Sequence, residues 1–218
     1  MTPKSWNKTV ATRLLLIRHG ETEWNRAGRM QGHLDIPLSH AGVEQALRLA
    51  DRLAGEEYDV LVSSDLRRAL QTAEAIAART FSSVVVDPRL RERNLGVLQG
   101  LTRDEAERGQ AEVLRRYQSG EADFVIPEGE SQRAFFTRVV GALTQLAHDN
   151  PGRRILVVSH GGVLDALYRI ASGGGPEGPR LVRLLNASIN EFIYAAPHWV
   201  LGRWGDVAHL AETSLDDV

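Results

Sequence analysis

The 218-residue chain contains no cysteine. Disulfides, thiolate-bound zinc and cysteine-based phosphoryl transfer are therefore excluded. Lysine is almost missing too: of 26 basic residues only Lys4 and Lys8 are lysines, and the rest are arginines. Arginine grips phosphate and carboxylate through two parallel N–H donors, so the skew matters only where an arginine's position points to a ligand. Neither sign of charge prevails. The formal net charge is −2, so no global field draws the chain to nucleic acid or to a membrane. No apolar run approaches the roughly 20 residues of a membrane span, and residues 1–13 carry no signal-like apolar stretch. A cytoplasmic protein is expected. Several catalytic signatures are missing as well. No strand end carries the Asp-x-Asp of magnesium-dependent aspartyl phosphatases, no Gly-Lys-Ser/Thr marks a nucleotide loop, and no histidine pair has zinc spacing on a helix. Gly173, Gly175 and Gly178 match Gly-x-Gly-x-x-Gly in letters only, because the stretch follows a helix and contains Pro176. No metal and no cofactor is expected.

What is present is ordinary globular material, 43% hydrophobic and 25% charged, enough for one well-packed core. Short apolar runs at 13–18, 59–63, 83–86 and 154–159 read as buried strands. Helical patterns separate them. Ser39 can cap a helix with Val43, Ala46, Leu47, Ala50 and Leu53 on one face and Gly55 as its stop; Ser64 can cap a second with Leu66, Ala69, Leu70, Ala73, Ile76 and Ala77 inward. Thr102 and Glu105 form a capping-box pattern. Ser131 can open a helix with Phe135, Val139, Ala142, Leu143 and Leu146 inward, and another follows Gly161-Gly162. Residues 188–195 and 199–203 flank Pro197-His198 as a hairpin or as neighbouring strands. The alternation predicts an α/β fold, three-layer α/β/α, with a mainly parallel sheet. One domain spans 1–218, with 94–150 as a helical insertion covering the active site and 1–12 and 211–218 as mobile tails.

Chemistry concentrates at strand ends, where open parallel sheets bind ligands. The first strand runs out into Arg18-His19-Gly20-Glu21-Thr22-Glu23-Trp24-Asn25. Another ends in Ser159-His160-Gly161-Gly162, with glycines opening a helix whose N–H groups favour an anion. The same arrangement at two strand ends is hard to assign to chance. A third element, Ser63 to Ala73, puts Arg68 in a first helical turn, where the dipole disfavours a cation; spacing alone favours a solvated side chain there. His33, His40, His148, His198 and His209 read as surface or structural.

In order and spacing these segments resemble the histidine phosphatase superfamily, the phosphoglycerate mutase-like fold. The Arg18–Asn25 signature is followed by Gly28-Arg29-Met30-Gln31-Gly32 with Asp35, Pro37 and Leu38, then by the arginine helix at 63–73. Leu90-Arg91-Glu92 with Gly96 and Gln99-Gly100 is similar to the family's acid loop, and Pro127-Glu128-Gly129-Glu130-Ser131 and Ser159-His160-Gly161-Gly162 complete the set. The resemblance runs from about Leu14 to Ala195. It implies a fold of that family and a catalytic set of His19 as nucleophile, Arg18, Arg68 and His160 as phosphate clamp, and Glu92 as proton donor. It implies substrate binding by Asn25, Gln31, Gly32 and Gly161. Without the resemblance, Glu92 looks like an ion-pairing residue among Arg89, Arg91 and Arg93.

The implied activity is phosphomonoester hydrolysis through a phosphohistidine, without metal, on a small phosphorylated metabolite, by a monomer or homodimer. A neutral imidazole avoids the repulsion that an anionic nucleophile meets at a phosphate dianion, so His19 must be unprotonated when it attacks. Charge spread over the equatorial oxygens needs fixed donors, each worth about 3 kcal/mol. Two other readings remain at this stage: a phosphoglycerate mutase and a non-catalytic phosphate-binding module. Leu98-Gln99-Gly100-Leu101 and Arg115-Arg116 resemble mutase elements, although a solvated helix face accounts for the arginine pair at least as well. Leu95 in place of a mutase tyrosine, a short 100–115 stretch and a compact 120–127 linker favour the phosphatase. Arg89, Arg91, Arg93 and Trp24 are candidates for reading a further anionic or ring-bearing group.

Overall fold

The computed structural model describes residues 10–180 and 182–211. The expected mobile tails therefore lie mostly outside the described residues. In chain order the elements are β1 (Thr12–Arg18), α1 (Glu23–Arg26), α2 (His40–Leu53), β2 (Val60–Ser63), α3 (Arg67–Thr80), β3 (Val84–Val86), α4 (Arg103–Gly109), α5 (Ala111–Ser119), α6 (Gln132–His148), β4 (Arg154–Ser159), α7 (Gly161–Ala171), β5 (Ile189–Ala195) and β6 (His198–Asp206). Six strands form one sheet in the order β3-β2-β4-β1-β5-β6. The four strands expected from apolar runs pair in parallel, and β5 and β6 add an antiparallel hairpin beside β1. The sheet is mixed, with a parallel core.

Alternation along β1 sorts the two faces, because successive side chains of a strand point to opposite sides. Leu14 and Leu16 pack with Phe135, Val139 and Leu143 of α6 and with Val163, Leu164 and Leu167 of α7. Leu15 and Ile17 pack with Leu49 and Leu53 of α2 and with Ala69, Ala73 and Ile76 of α3. The result is a three-layer α/β/α stack. A third, smaller cluster (Leu95, Leu98, Ala106, Leu114 and Ile126) lies between α4, α5 and their flanking loops. The helical stretch at 94–150 thus divides: α4 and α5 have their own core, whereas α6 is part of the main one.

Local cues hold at most ends. The Ser39 and Ser131 hydroxyls accept from the backbone of Gly42 and Ala134 at 3.0 and 3.1 Å, and Thr102 and Glu105 form the reciprocal capping box. Three expectations need correction. The 83–86 run is not a buried strand: β3 lies at the sheet edge, and Val85 and Val86 are exposed. Val43 and Leu47 of α2 are 44% and 54% exposed, because its buried stripe is Gly42, Ala46, Leu49, Ala50 and Leu53. Ser64 does not cap α3. That helix has no side-chain cap at Leu66; instead Asp35, from the preceding loop, accepts from the Arg67 N–H at 2.6 Å. No described helix is long and apolar enough to cross a membrane.

Candidate active site

Strand register builds the site. Arg18 of β1 lies opposite Ser159 of β4, and the next residue on each strand is a histidine. The His19 N–H donates to the Ser159 carbonyl at 3.0 Å, and the two imidazole centroids are 5.3 Å apart. β2 is parallel to β4 on its other side and delivers Ser64, whose hydroxyl lies 2.8 Å from His160 Nε2. Three neighbouring strand ends therefore meet at one point. Gly20 and Gly42 permit the crowding, since a Cβ on Gly20 would come within 2.5 Å of the Gly42 carbonyl oxygen. The close neighbour of Gly20 is thus α2 backbone.

His19 is pinned at both ring nitrogens. Nδ1–H donates to the Gly20 carbonyl at 2.7 Å, and the Arg68 Nε–H donates to Nε2 at 3.2 Å. This pair of contacts selects the tautomer with its lone pair on Nε2. Burial, followed by the Arg68 and Arg18 charges, holds its pKa well below the ordinary imidazole value. Arg68 is 1% exposed, contrary to the solvated side chain its spacing favoured. Its terminal nitrogens donate to the Leu34 and Gly32 carbonyls at 3.0 and 2.8 Å, so the loop after β1 orients it. Arg18 ends β1 and donates to the Leu184 carbonyl. Burial lowers the pKa of Arg18 and of Arg68 to about 10, still far above neutrality, so both remain cations.

A cavity of about 210 Å³ opens beside these groups, lined among others by Arg18, His19, Asn25, Gln31, Gly32, Arg68, Glu92 and Gly161. Eight of the nine expected site residues line it. The ninth, His160, is fully buried and not part of the lining; burial and then the Arg68 charge push its pKa well down. Its Nδ1, together with Arg18 Nε, Gln31 Oε1 and Arg93 Nη2, is buried without a partner among the described residues. Buried polar groups are nearly always satisfied, so three such atoms on residues lining one cavity, with a fourth behind it, point to a polar ligand. Asn25 Oδ1 accepts from the Thr22 N–H at 3.1 Å and hydroxyl at 3.0 Å, which turns its amide N–H₂ to other use.

Glu92 projects from the loop after β3. Its Oε1 accepts from the Arg93 N–H at 2.8 Å and its Oε2 from the Gly162 N–H at 2.9 Å. Gly162 is required there, because a Cβ would lie 2.1 Å from Glu92 Oε1. His33 Nε2 lies 2.8 Å from the Glu92 carbonyl oxygen, which bears out a structural role for that histidine. The surrounding arginines separate. Arg89 pairs with Asp87 and Arg91 with Asp65, while Arg93 turns inward, donates to Gln132 Oε1 at 2.6 Å and lies over the Tyr117 ring. Arg115 pairs with Glu112, and Arg116 with Glu121 while covering the Phe124 ring; neither lines the cavity. Tyr117, Gln132, Asp165 and Arg180, which the sequence motifs do not mark, also line it. Of these, only Arg180 left a trace, as the first charged side chain after the Gly/Pro stretch.

The family model described as histidine phosphatase superfamily (branch 1) matches residues 14–207. The chain is 41% identical over 218 residues to the metal-independent phosphoserine phosphatase of Arabidopsis thaliana, covering 96% of this chain and 90% of that one. It is also 41% identical over 206 residues to phosphoglycerate mutase-like protein 4 of the same plant, covering 93% and 88%. Among solved structures, a mutant phosphoserine phosphatase from Entamoeba histolytica in complex with phosphoserine superposes with a TM-score of 0.80 at 30% identity, over 91% of this chain and 99% of that one.

Proposed function

This chain belongs to the histidine phosphatase superfamily and is a metal-independent phosphatase of small phosphorylated metabolites, and we propose that it works through a covalent intermediate on His19. The observation that carries this reading is the pinned imidazole: a lone pair on Nε2, a proton held on Nδ1 by Gly20, and two guanidinium groups alongside. Nε2 attacks phosphorus and the ester P–O bond breaks. The Glu92 carboxyl gives its proton to the departing oxygen. The resulting Glu92 carboxylate then takes a proton from water, the hydroxide attacks phosphorus, and the P–N bond breaks to free inorganic phosphate. Arg18, Arg68, Asn25, His160 and the Gly161 N–H at the start of α7 meet the charge on the transferring oxygens. Gln31 and Gly32 border the bound phosphate. That Leu95, Tyr117, Gln132 and Phe135 line the cavity supports the reading of 94–150 as an insertion over the site.

The test is turnover of p-nitrophenyl phosphate with a chelator present. Activity should persist in the chelator, vanish in His19→Ala, and leave acid-labile phosphate on residue 19 in a rapid quench. Label on any other residue would refute the assignment. A mutase would hold the substrate with its arginine pair, and Arg115 and Arg116 are here engaged by Glu112 and Glu121 outside the cavity. With 3-phosphoglycerate and 2,3-bisphosphoglycerate, free phosphate should therefore outrun 2-phosphoglycerate. The reading extends to a cytoplasmic enzyme acting as a monomer or homodimer, which fractionation and sedimentation check.

A further inference from the structure

The peptide groups between His19 and Thr22 are each held at both ends. The carbonyl of the His19–Gly20 peptide accepts from the Ala187 N–H at 3.2 Å and the Asn186 amide at 3.0 Å, and its N–H donates to the Thr72 hydroxyl at 3.1 Å. The carbonyl of the Glu21–Thr22 peptide accepts from the Ser39 N–H at 2.9 Å, and its N–H donates to Asn25 Oδ1 at 3.1 Å. Between them, the Gly20–Glu21 peptide meets the His19 Nδ1–H at its carbonyl, at 2.7 Å, and Gln45 Oε1 at its N–H, at 2.8 Å. One end of this peptide faces the ring that has to be oriented, and the Gln45 contact anchors the other. Building on the reading of His19 as nucleophile, we propose that Gln45, on α2, is a positioning residue for the reaction: it sets the plane of the Gly20–Glu21 peptide, whose carbonyl holds the Nδ1 proton and so leaves the Nε2 lone pair free for phosphorus.

A trans peptide is planar, so its C=O and N–H point opposite ways in one plane, and fixing one fixes the other. The plane turns only about the bonds that flank it, ψ of Gly20 and φ of Glu21. Glycine offers little steric resistance to that turn. A larger residue is barred at position 20, because its Cβ would come within 2.5 Å of the Gly42 carbonyl oxygen. Packing against α2 thus requires the one residue that lets the carbonyl swing away from the imidazole. The Gln45 contact removes this freedom. It also strengthens the bond to His19, since an amide whose N–H is engaged is polarised and its carbonyl accepts better.

The start of α2 is shaped to deliver this amide. Ser39, Gly42 and Gln45 are spaced three apart, which places them along one side of the helix. The Ser39 hydroxyl caps the helix and also donates to Glu21 Oε1 at 2.8 Å. Gly42 lets the backbone of Glu21 lie against the helix, where a Cβ would sit 1.9 Å from the Glu21 carbonyl oxygen. Gln45, one turn further on, reaches the N–H of the same residue. Gln45 does not line the phosphate cavity. Its influence on the reaction therefore passes through the peptide and not through contact with the substrate.

The experiment compares the wild type with Gln45→Met and Gln45→Glu. The first keeps the length and helix preference of the side chain but removes the acceptor; the second keeps an acceptor. Rapid quench with p-nitrophenyl phosphate follows the appearance of phosphate on residue 19. Proton NMR follows the ring N–H of His19, assigned by its absence in His19→Ala. In Gln45→Met, phosphorylation should slow about tenfold, and the ring N–H signal should move upfield and exchange faster with solvent. Gln45→Glu should bring both back towards the wild type. Gln45→Leu repeats the test if the Met variant fails to fold. A merely structural contact would lower the thermal midpoint and leave the N–H signal in place. That result, or an unchanged phosphorylation rate with an unmoved signal, overturns the proposal and leaves the nucleophile standing. A signal that moves while turnover holds, or wild-type label on another residue, removes the nucleophile reading and this role for Gln45 with it.

Discussion

Arg68 does two tasks that a lysine cannot combine. Its Nε faces His19 Nε2 while its two terminal nitrogens hold separate carbonyls of the loop after β1, and only a rigid planar fork reaches all three. Arg68→Lys keeps the charge but loses that geometry, so kcat should fall by about 10²–10³, with KM for phosphate esters changing less; steady-state kinetics separate the two. The depressed pKa of His19 sets a second expectation. Because the imidazole stays neutral at pH values where an ordinary histidine is protonated, the acid limb of kcat/KM assigned to the nucleophile should lie well below 6.5. A limb at or above 6.5 that disappears when His160 is mutated but His19 is intact would reassign it.

At the scale of elements, the first turn of α7 borders the cavity through Gly161 and Gly162. It has no side-chain cap, and the Gly162 N–H is taken by the Glu92 carboxylate instead. The Gly162 N–H and the Arg93 N–H each hold one oxygen of Glu92, so the start of the helix positions the acid. Gly162→Ala should displace Glu92, because the intruding Cβ meets the far end of a flexible side chain rather than backbone. The predicted signature is a kcat loss of about 10²-fold or more with a cooperative thermal transition retained. Wild-type kcat in that variant would detach Glu92 from proton transfer.

Across the whole molecule, two buried features tie the fold to the site. Arg169 pairs with Asp165 and donates to the carbonyls of Glu177, Gly178 and Pro179. Arg169→Met would leave Asp165 and these carbonyls unpaired, which should cost about 3–5 kcal/mol in urea unfolding and should loosen the loop bearing Arg180. The double variant Arg169→Met, Asp165→Leu should recover part of the loss, since no uncompensated buried charge remains. The second feature is pH. His19 and His160 both titrate far below their unfolded value of about 6.5, so below that pH the unfolded chain binds protons the folded chain refuses. Stability should therefore hold above pH 6.5 and decline as pH falls towards the folded pKa values. His160→Gln should reduce the slope of unfolding free energy against pH in that window.

Much of this molecule is local information, and local information is what a sequence displays. Four parallel strands, the Ser39 and Ser131 caps, the Thr102 capping box and the two strand-end histidines follow from apolar runs and short-range hydrogen bonding. The position of His19 followed from its place at the end of β1. Other features depend on residues far apart in the chain. Whether Arg68 is solvated or buried is decided by the carbonyls of Gly32 and Leu34, more than thirty residues earlier. The true partner of Ser64 is His160, brought beside it by strand order. Only one of three neighbouring arginines around Glu92 turns inward, because Asp87 and Asp65 hold the other two. The 173–179 loop, gathered on Arg169, closes against the end of α5 through the Gly178 N–H and the Gly120 carbonyl. A sequence fixes periods, caps and chemical types because these need only near neighbours; burial, pairing and cavities need the sheet order, which exists only once the chain has packed.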